Sequence, residues 1–354
     1  MVEQVHRVRV EPSGLEVDCR GDQSILDACL RSGIWLPHAC THGTCGTCKA
    51  ELLEGSIDFG DASGFALMDF ERDEGKALLC CARPLSDVVV EAEVDVEEGV
   101  ELHPVRDHRA TVVEIEDCAR GTRRLRLALE GDLSFNPGQY VQIQVPGTKV
   151  KRSYSLANPP CQQRSLELHV RRTPGGLASE QWVFGSLQVG DEIDLSGPFG
   201  RFFLHPLREE PIIMVAGGTG LAPIESMVRH MLVSGLDRQI TLYQGARGLE
   251  HIYDTDVLAA LQEEHPDRFC YRPCLDAETV VGFERGLVTD VIERDHPGSL
   301  EGHVAYVCGP PPMVDATLRT LMKKRLFGGS IFREDFYDES DKARGVLRSP
   351  LLKR

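Results

Sequence analysis

The sequence predicts three successive folding units in one chain: a mixed α+β unit, an antiparallel β-barrel, and an α/β unit built on a parallel sheet. Three observations carry this. Short period-two strands flank a cysteine-rich loop in the first hundred residues. A run of short strands separated by turn residues, with almost no helix, fills the middle. Apolar strands then alternate with amphipathic helices to the end. The length agrees, since 354 residues exceed what one ordinary core holds.

In the first unit, residues 1–97, HRVRVEP and GLEVDC read as strands and SILDACLRSG as a helix. A long loop runs through ACTHGTCGTCKA, and strand AELLEG, a helical stretch around FALMDFERDEG and a closing strand DVVVEAEV follow. Residues 98–107 carry Gly99, Pro104 and several charges and read as an exposed linker. The barrel, residues 108–206, is drawn from ATVVEIE, RRLRLALE, QYVQIQV, RSYSLAN, LELHVRR and DEIDLSG, with only SEQWVFGSL helical. In the last unit, residues 207–337, PIIMVAGG, QITLYQGA and HVAYVCGP are strands, each followed by a helix. Residues 338–354 form a polar tail.

Charge and composition exclude several functions. The net charge of −16 has the wrong sign for a protein that binds nucleic acid through phosphate contacts. Neither an apolar leader nor a run near 18 apolar residues is present, so secretion and membrane spanning are not expected and the cytoplasm is the default. Twelve cysteines in that compartment favour a metal or redox site over a disulfide framework. Residues 1–100 hold 20 acidic and 8 basic side chains, a net −12. Such a surface suits a basic protein partner.

Cys40, Cys45 and Cys48 stand as C-x4-C-x2-C, with Cys80 following after 31 residues, which is the plant-type spacing for a 2Fe-2S cluster. Four thiolates must wrap a small inorganic core, and Gly43 and Gly46 allow the tight bends this needs. A four-cysteine zinc site would usually show two C-x2-C pairs, and a Rieske centre would need a C-x2-H partner. Cys81 leaves the fourth ligand ambiguous, and Pro84, four residues after Cys80, favours Cys80. Cys19, Cys29, Cys118, Cys161, Cys270 and Cys274 read as small packing residues.

Two constellations in the barrel suit anion binding. On the strand holding Arg152-Ser-Tyr154-Ser155, Arg152 and Tyr154 share one face and Ser155 takes the other. Arg152 suits a pyrophosphate, Tyr154 a ring or ribityl chain, and Ser155 the edge of a reactive heterocycle. The Gly175-Gly176-Leu177-Ala178-Ser179 turn precedes a helix, whose first N–H groups suit a phosphate. Pro137-Gly138-Gln139-Tyr140 precedes both. In the last unit Gly217-Gly218-Thr219-Gly220 ends a strand and Pro223 is placed at an N1-like helix position. The usual G-x-G-x-x-G fingerprint is absent, yet three glycines at a βα turn still let a pyrophosphate approach the backbone. Parallel strands put their carboxyl ends on one edge, so this turn, Gln244-Gly-Ala-Arg247 and Cys308-Gly309-Pro310 are expected to converge on one crevice, with Cys308 nearest a nicotinamide ring. Glu334 and Phe336 are placed near the flavin, or else Phe336 packs in the core.

With these residues in view, the chain resembles the ferredoxin–NADP reductase superfamily carrying an N-terminal plant-type (β-grasp) ferredoxin domain. Within it, IWLPHACTHGTCGTCK, ALMDFERDE, SLANPP, YVCGPPPMVDA and the closing LLKR are similar to the reductase components of multicomponent phenol hydroxylases, which are soluble di-iron monooxygenase systems. The resemblance implies iron ligands Cys40, Cys45, Cys48 and Cys80. It implies FAD contacts at Arg152, Tyr154, Ser155 and Gly176–Ser179, and pyridine-nucleotide contacts at Gly217–Gly220, Cys308 and Gly309. Ser155, Cys308 and Glu334 are expected to shape the hydride encounter. Phe336 departs from the family pattern, in which the C-terminal aromatic is often the last ordered residue.

The expected function is an NADH:acceptor oxidoreductase, monomeric, passing electrons through FAD and 2Fe-2S to a di-iron hydroxylase. NADH is preferred over NADPH because no basic cluster follows YQGAR and Glu250 and Asp254 lie nearby. The Glu-x-x-His spacings Glu3–His6 and Glu293–His296 are accidental, so the oxygenase is expected on another chain. The alternatives are a reductase for a Rieske dioxygenase or a deoxysugar dehydratase, and a carrier module without nicotinamide turnover.

Overall fold

The computed structural model describes residues 4–94 and 98–336; the expected tail and Glu3 lie outside the described residues. The chain divides into two compact units. The first comprises the described residues up to Asp107 together with Ser196–Arg201, and the second comprises His108–Leu195 and the described residues from Phe202 onward.

The first unit is a five-stranded sheet against one helix. Strands β1 (Val5–Glu11) and β2 (Leu15–Arg20) form a hairpin, followed by α1 (Ile25–Arg31), β3 (Lys49–Glu54) and the short β4 (Ile57–Asp58). Then come α2 (Asp69–Asp73), β5 (Lys76–Leu78), the short β6 (Arg83–Pro84) and β7 (Val88–Glu91). The sheet order is β2-β1-β7-β3-β5, with β1 and β7 parallel. Alternation along β1 buries Val8 and Val10, and α1 buries Ile25, Leu26, Ala28, Cys29 and Leu30. The Ser24 hydroxyl caps α1 by accepting from the Asp27 amide at 3.2 Å. The second helix is shorter than FALMDFERDEG suggested, leaving Phe65–Met68 outside it. The expected linker is not wholly exposed either. Val105 is buried and its amide donates to Leu30 O, while Arg31 pairs with Asp107 at 2.8 Å.

Strands β8 (Arg106–Ala119), β9 (Thr122–Leu129), β10 (Tyr140–Gln144), β11 (Lys151–Ser155), β12 (Ser165–Arg171) and β13 (Glu192–Phe199) form one sheet in the order β11-β10-β13-β8-β9-β12. Its core gathers Val112, Leu125, Leu127, Val141, Ile143, Leu168 and Trp182. The helical stretch is a wide π-type helix over Leu177–Ser186, starting two residues before SEQWVFGSL.

The remainder is a parallel sheet in the order β17-β16-β15-β14-β18-β19. Its strands are β14 (Ile212–Gly217), β15 (Ile240–Ala246), β16 (Phe269–Leu275), β17 (Glu284–Arg285), β18 (Val304–Gly309) and β19 (Ile331–Asp335). Helices α3 (Leu221–Ser234), α4 (Thr255–Glu264), α5 (Val288–Asp295) and α6 (Pro311–Lys323) connect them. Strands β14 and β18 are buried at every residue, as a sheet covered on both faces requires. One detail differs from expectation: α3 starts at Leu221, so Pro223 is its third residue rather than its first.

Candidate functional site

The cysteine loop is shaped by its backbone. Thr41, Gly43 and Gly46 all take positive φ, of 58°, 77° and 77°, folding residues 40–48 into a tight wrap. Within it the Cys40 thiol interacts with that of Cys45, and the Cys48 thiol with that of Cys80 across 31 intervening residues. The Thr47 amide points at Cys45 Sγ at 3.5 Å. Cys80 is delivered by a turn that α1 brackets, with the Ile25 amide donating to Ala82 O and the Leu26 amide to Leu79 O. Four converging unbridged thiols with a backbone amide aimed at sulfur suit a 2Fe-2S core, which takes two thiolates per iron. Cys81 Sγ lies 3.7 Å from Cys80 Sγ and against Gly43, where a Cβ would fall 2.6 Å from it.

On the barrel, Arg152 is exposed at the start of β11, Tyr154 is half-buried and Ser155 is buried opposite Tyr140. Burial pushes the Tyr154 phenol up to about 12, so it stays neutral. At the wide helix the first intrahelical bonds run from the Glu180 and Gln181 amides to Gly176 O, so the amides of Leu177, Ala178 and Ser179 precede them. A Cβ on Gly176 would fall 2.6 Å from Ser179 Oγ, and that hydroxyl accepts from the Thr173 amide at 3.0 Å. A cation, a ring and a helix start form the donor set that a flavin dinucleotide needs.

In the parallel sheet, strand order reverses between β14 and β18, the switch point at which ligands bind in such sheets. Gly217 and Gly309 stand there at the carboxyl ends, and the glycines turn out to do different jobs. A Cβ on Gly220 would press on Cys308 O and lie 2.7 Å from Gly309 Cα. One on Gly309 would fall 2.9 Å from Gly217 O. Gly220 and Gly309 let two backbones touch, whereas a Cβ on Gly217 would meet the Met313 side chain. Gly218 alone is open and left-handed, at φ +55°, with the Arg171 guanidinium 3.9 Å from where a Cβ would lie. Arg171, which ends β12, was not singled out from HVRR; an arginine on an exposed strand end carries no local signal of what it faces.

Glu334 pairs in register with Cys308, and the Phe336 amide donates to Gly309 O at 3.0 Å, so the C-terminal residues do reach the β18 end. Phe336 is half-buried against the core. Cys308 is wholly buried, and burial holds its thiol far above the ordinary range, so the thiol stays protonated. Ser155 lies apart from these residues in sequence and strand, on the barrel.

No local pattern in the sequence signals the buried polar cluster between barrel and parallel sheet. Glu167 and His169 on β12 face Glu225 on α3, their ligating atoms within 4.8 Å of one another. Arg124 contacts Glu167 at 3.5 Å, Glu116 at 2.5 Å and Asp254, while Arg126 reaches Glu167 at 3.2 Å and Arg229 pairs with Glu225. These arginines supply the positive charge that a metal ion would otherwise bring. Burial raises the Glu225 carboxyl to about 7. The Glu167 carboxyl is instead held at about 2 although burial opposes it, because His169 and the arginines favour its charged form. Asp254 pairs with Arg124, and Glu250 with Arg120 at 2.7 Å. In Glu293–His296 the His296 ring meets the Tyr243 hydroxyl at 3.1 Å.

Fold and site together define an iron–sulfur flavoprotein reductase. Family models match residues 8–85 as a 2Fe-2S iron-sulfur cluster binding domain, 109–204 as an oxidoreductase FAD-binding domain and 214–319 as an oxidoreductase NAD-binding domain. The chain is 44% identical to the phenol 2-monooxygenase reductase component DmpP of Pseudomonas sp. (strain CF600), over 99% of each chain. It is 43% identical to the phenol hydroxylase P5 protein of Acinetobacter pittii (strain PHEA-2), over 98% of this chain and 99% of that one. A crystal structure of the Amycolatopsis cytochrome P450 reductase GcoB superposes with a TM-score of 0.87 at 42% identity, covering 94% of this chain and 98% of that one. The chain belongs to the family of reductase components of multicomponent oxygenases, and is an oxidoreductase that carries 2Fe-2S and FAD and binds NAD. No helix among the described residues is long and apolar enough to cross a membrane.

Proposed function

We propose that this reductase takes electrons from NADH and delivers them to the di-iron hydroxylase of a phenol-type monooxygenase system. The supporting observation is end-to-end similarity to two phenol hydroxylase reductases, at 44% and 43% identity. Cys40, Cys45, Cys48 and Cys80 would hold the cluster. Arg152, Tyr154, Ser155 and the Gly176–Ser179 turn would hold the flavin, with Gly217–Gly220, Cys308 and Gly309 for the nucleotide. When bound, these groups supply the conversion of a two-electron hydride into single electrons. The chain's own work is placement. Gly218 leaves room at the switch point, Ser155 offers a buried hydroxyl to the flavin edge, and Glu334 beside Cys308 sets the polarity of the nicotinamide end. NADH is preferred to NADPH on the absence of a basic cluster after Ala246.

Exit of electrons needs a docking face at the cluster. Phe65, Met68 and Phe70 are 90%, 49% and 57% exposed, unusual for side chains of that size. They adjoin the cysteine loop, since the Ser63 amide donates to Gly43 O. Asp61, Asp69, Asp73 and Glu74 rim them, all exposed. An apolar centre with an acidic rim fits a partner with a basic-rimmed apolar site.

The test is reconstitution of the holoprotein with NADH, phenol, a di-iron phenol hydroxylase and its effector protein. A Rieske oxygenase with benzoate, and an aromatic O-demethylase with its substrate, run in parallel. Catechol formation coupled to NADH oxidation in the first mixture alone is the expected result. Product only in another mixture would leave the reductase chemistry standing and overturn the partner.

A further inference from the structure

The buried cluster between barrel and parallel sheet ends on the nucleotide-binding turn. Tyr253, 4% exposed, sets its hydroxyl 3.2 Å from the Gly218 carbonyl and 3.1 Å from His169 Nδ1. The Gly218 carbonyl also accepts from the Leu221 amide, so both its lone pairs are used. His169 is fully buried, edge-on to the Tyr253 ring with centroids 5.1 Å apart, and its Nε2 meets Glu167 at 3.4 Å. Arg124 and Arg126 in turn hold Glu167. Tyr253 itself is fixed at its backbone. Its carbonyl accepts from Gln244 Nε2 at 3.0 Å, and the next residue, Asp254, takes a left-handed turn at φ +58° and pairs with Arg124.

We propose that Tyr253 and His169 are positioning residues for the pyridine nucleotide, the barrel reaching through them to pin the Gly218 carbonyl and so orient the turn that receives the pyrophosphate. The physical reason lies in the peptide plane. A trans peptide sets C=O and N–H antiparallel, so fixing the Gly218 carbonyl toward Tyr253 aims the Thr219 amide the opposite way. Gly218 is the residue that most needs such a restraint, because glycine gives its turn the widest backbone freedom. A preorganised amide loses less entropy on binding an anion than a wandering one. Burial keeps the Tyr253 phenol protonated, hence a permanent donor. Neither residue touches the reacting atoms in this account.

The inference rests on nucleotide binding at Gly217–Gly220, and the test separates the two. In FAD-loaded, cluster-loaded holoprotein, Tyr253→Phe keeps the ring packing and removes only the hydroxyl. The expected result is a KM for NADH, and a calorimetric Kd for NAD, raised roughly five- to tenfold, with kcat toward ferricyanide and the flavin spectrum retained. His169→Asn, which keeps a polar atom facing Tyr253, is expected to move both constants less than Tyr253→Phe. If Tyr253→Phe loses FAD, His169→Leu and His169→Asn decide by the same split. Constants within twofold of wild type, or a fall in kcat or melting temperature with Kd unmoved, would overturn the positioning role. Failure of the wild-type holoprotein to oxidise NADH would instead overturn the nucleotide reading itself.

Discussion

At the scale of single residues, the adjacent thiols of Cys80 and Cys81 differ in what each one faces, and that difference carries a prediction of which is the ligand. Both follow the same strand and both are half-buried. Of the two, only Cys80 interacts directly with the Cys48 thiol. Cys81 is turned by its amide bond to Leu78 O and faces Gly43, a glycine whose missing Cβ makes room for that sulfur. Cys80→Ser is therefore expected to abolish the visible absorption and the reduced-state electron paramagnetic resonance signal of the cluster, while Cys81→Ser retains both. Iron analysis of the purified variants checks the assignment independently. Loss in Cys81→Ser with retention in Cys80→Ser would reverse it.

At the scale of elements, the glycines of the β14 turn separate space from conformation. Gly220 has an ordinary φ of −62°, so alanine there meets no torsional penalty; its Cβ would instead press on the Cys308 and Gly309 backbone, which cannot swing aside as a side chain does. Gly218 is the reverse case, with open space around it and a left-handed φ. Gly220→Ala is expected to cost about 2–3 kcal/mol and to weaken NAD binding by forcing the β14 turn from the β18 end. Gly218→Ala is expected to cost only about 1–2 kcal/mol. Chemical denaturation of both variants measures the difference, and equal costs would contradict the distinct roles. The same turn shows what sequence made legible. Cysteine spacing and the glycine turns are local patterns, readable because the chemistry needs those residues within a few positions. The pairing of Arg124 with Asp254 and of Glu225 with Glu167 and His169 joins residues 56 to 130 positions apart, and no local pattern announces it. Strand β16 was missed because Pro273 sits inside FCYRPCL, a residue that ordinarily argues against an inner strand, and the parallel pairing with β15 absorbs it. The wide helix at Leu177–Ser186 carries little amphipathic signal, with only Ala178, Trp182 and Val183 buried.

At the scale of the whole molecule, charge is distributed by function. The first hundred residues carry a net −12 of the total −16, and the exposed Phe65, Met68 and Phe70 lie among those acids. Apolar contact supplies short-range affinity and excludes water, whereas the field of the acids acts before contact and raises the encounter rate. Screening separates the two, because the Debye length shrinks from about 30 Å at 0.01 M salt to about 10 Å at 0.1 M. In the reconstituted system at limiting reductase, the second-order rate constant for hydroxylase reduction is expected to fall roughly tenfold across that salt range. Reduction of a neutral quinone by the same protein should stay flat, since no charged partner is being steered. Reversing Asp69 and Asp73 to lysine should flatten the salt dependence with the hydroxylase and leave the quinone rate alone. Phe65→Ala should lower the hydroxylase rate equally at every salt concentration, because desolvated apolar contact is not screened. A salt-independent hydroxylase rate, or a Phe65→Ala effect that vanishes at high salt, would show that the partner docks elsewhere.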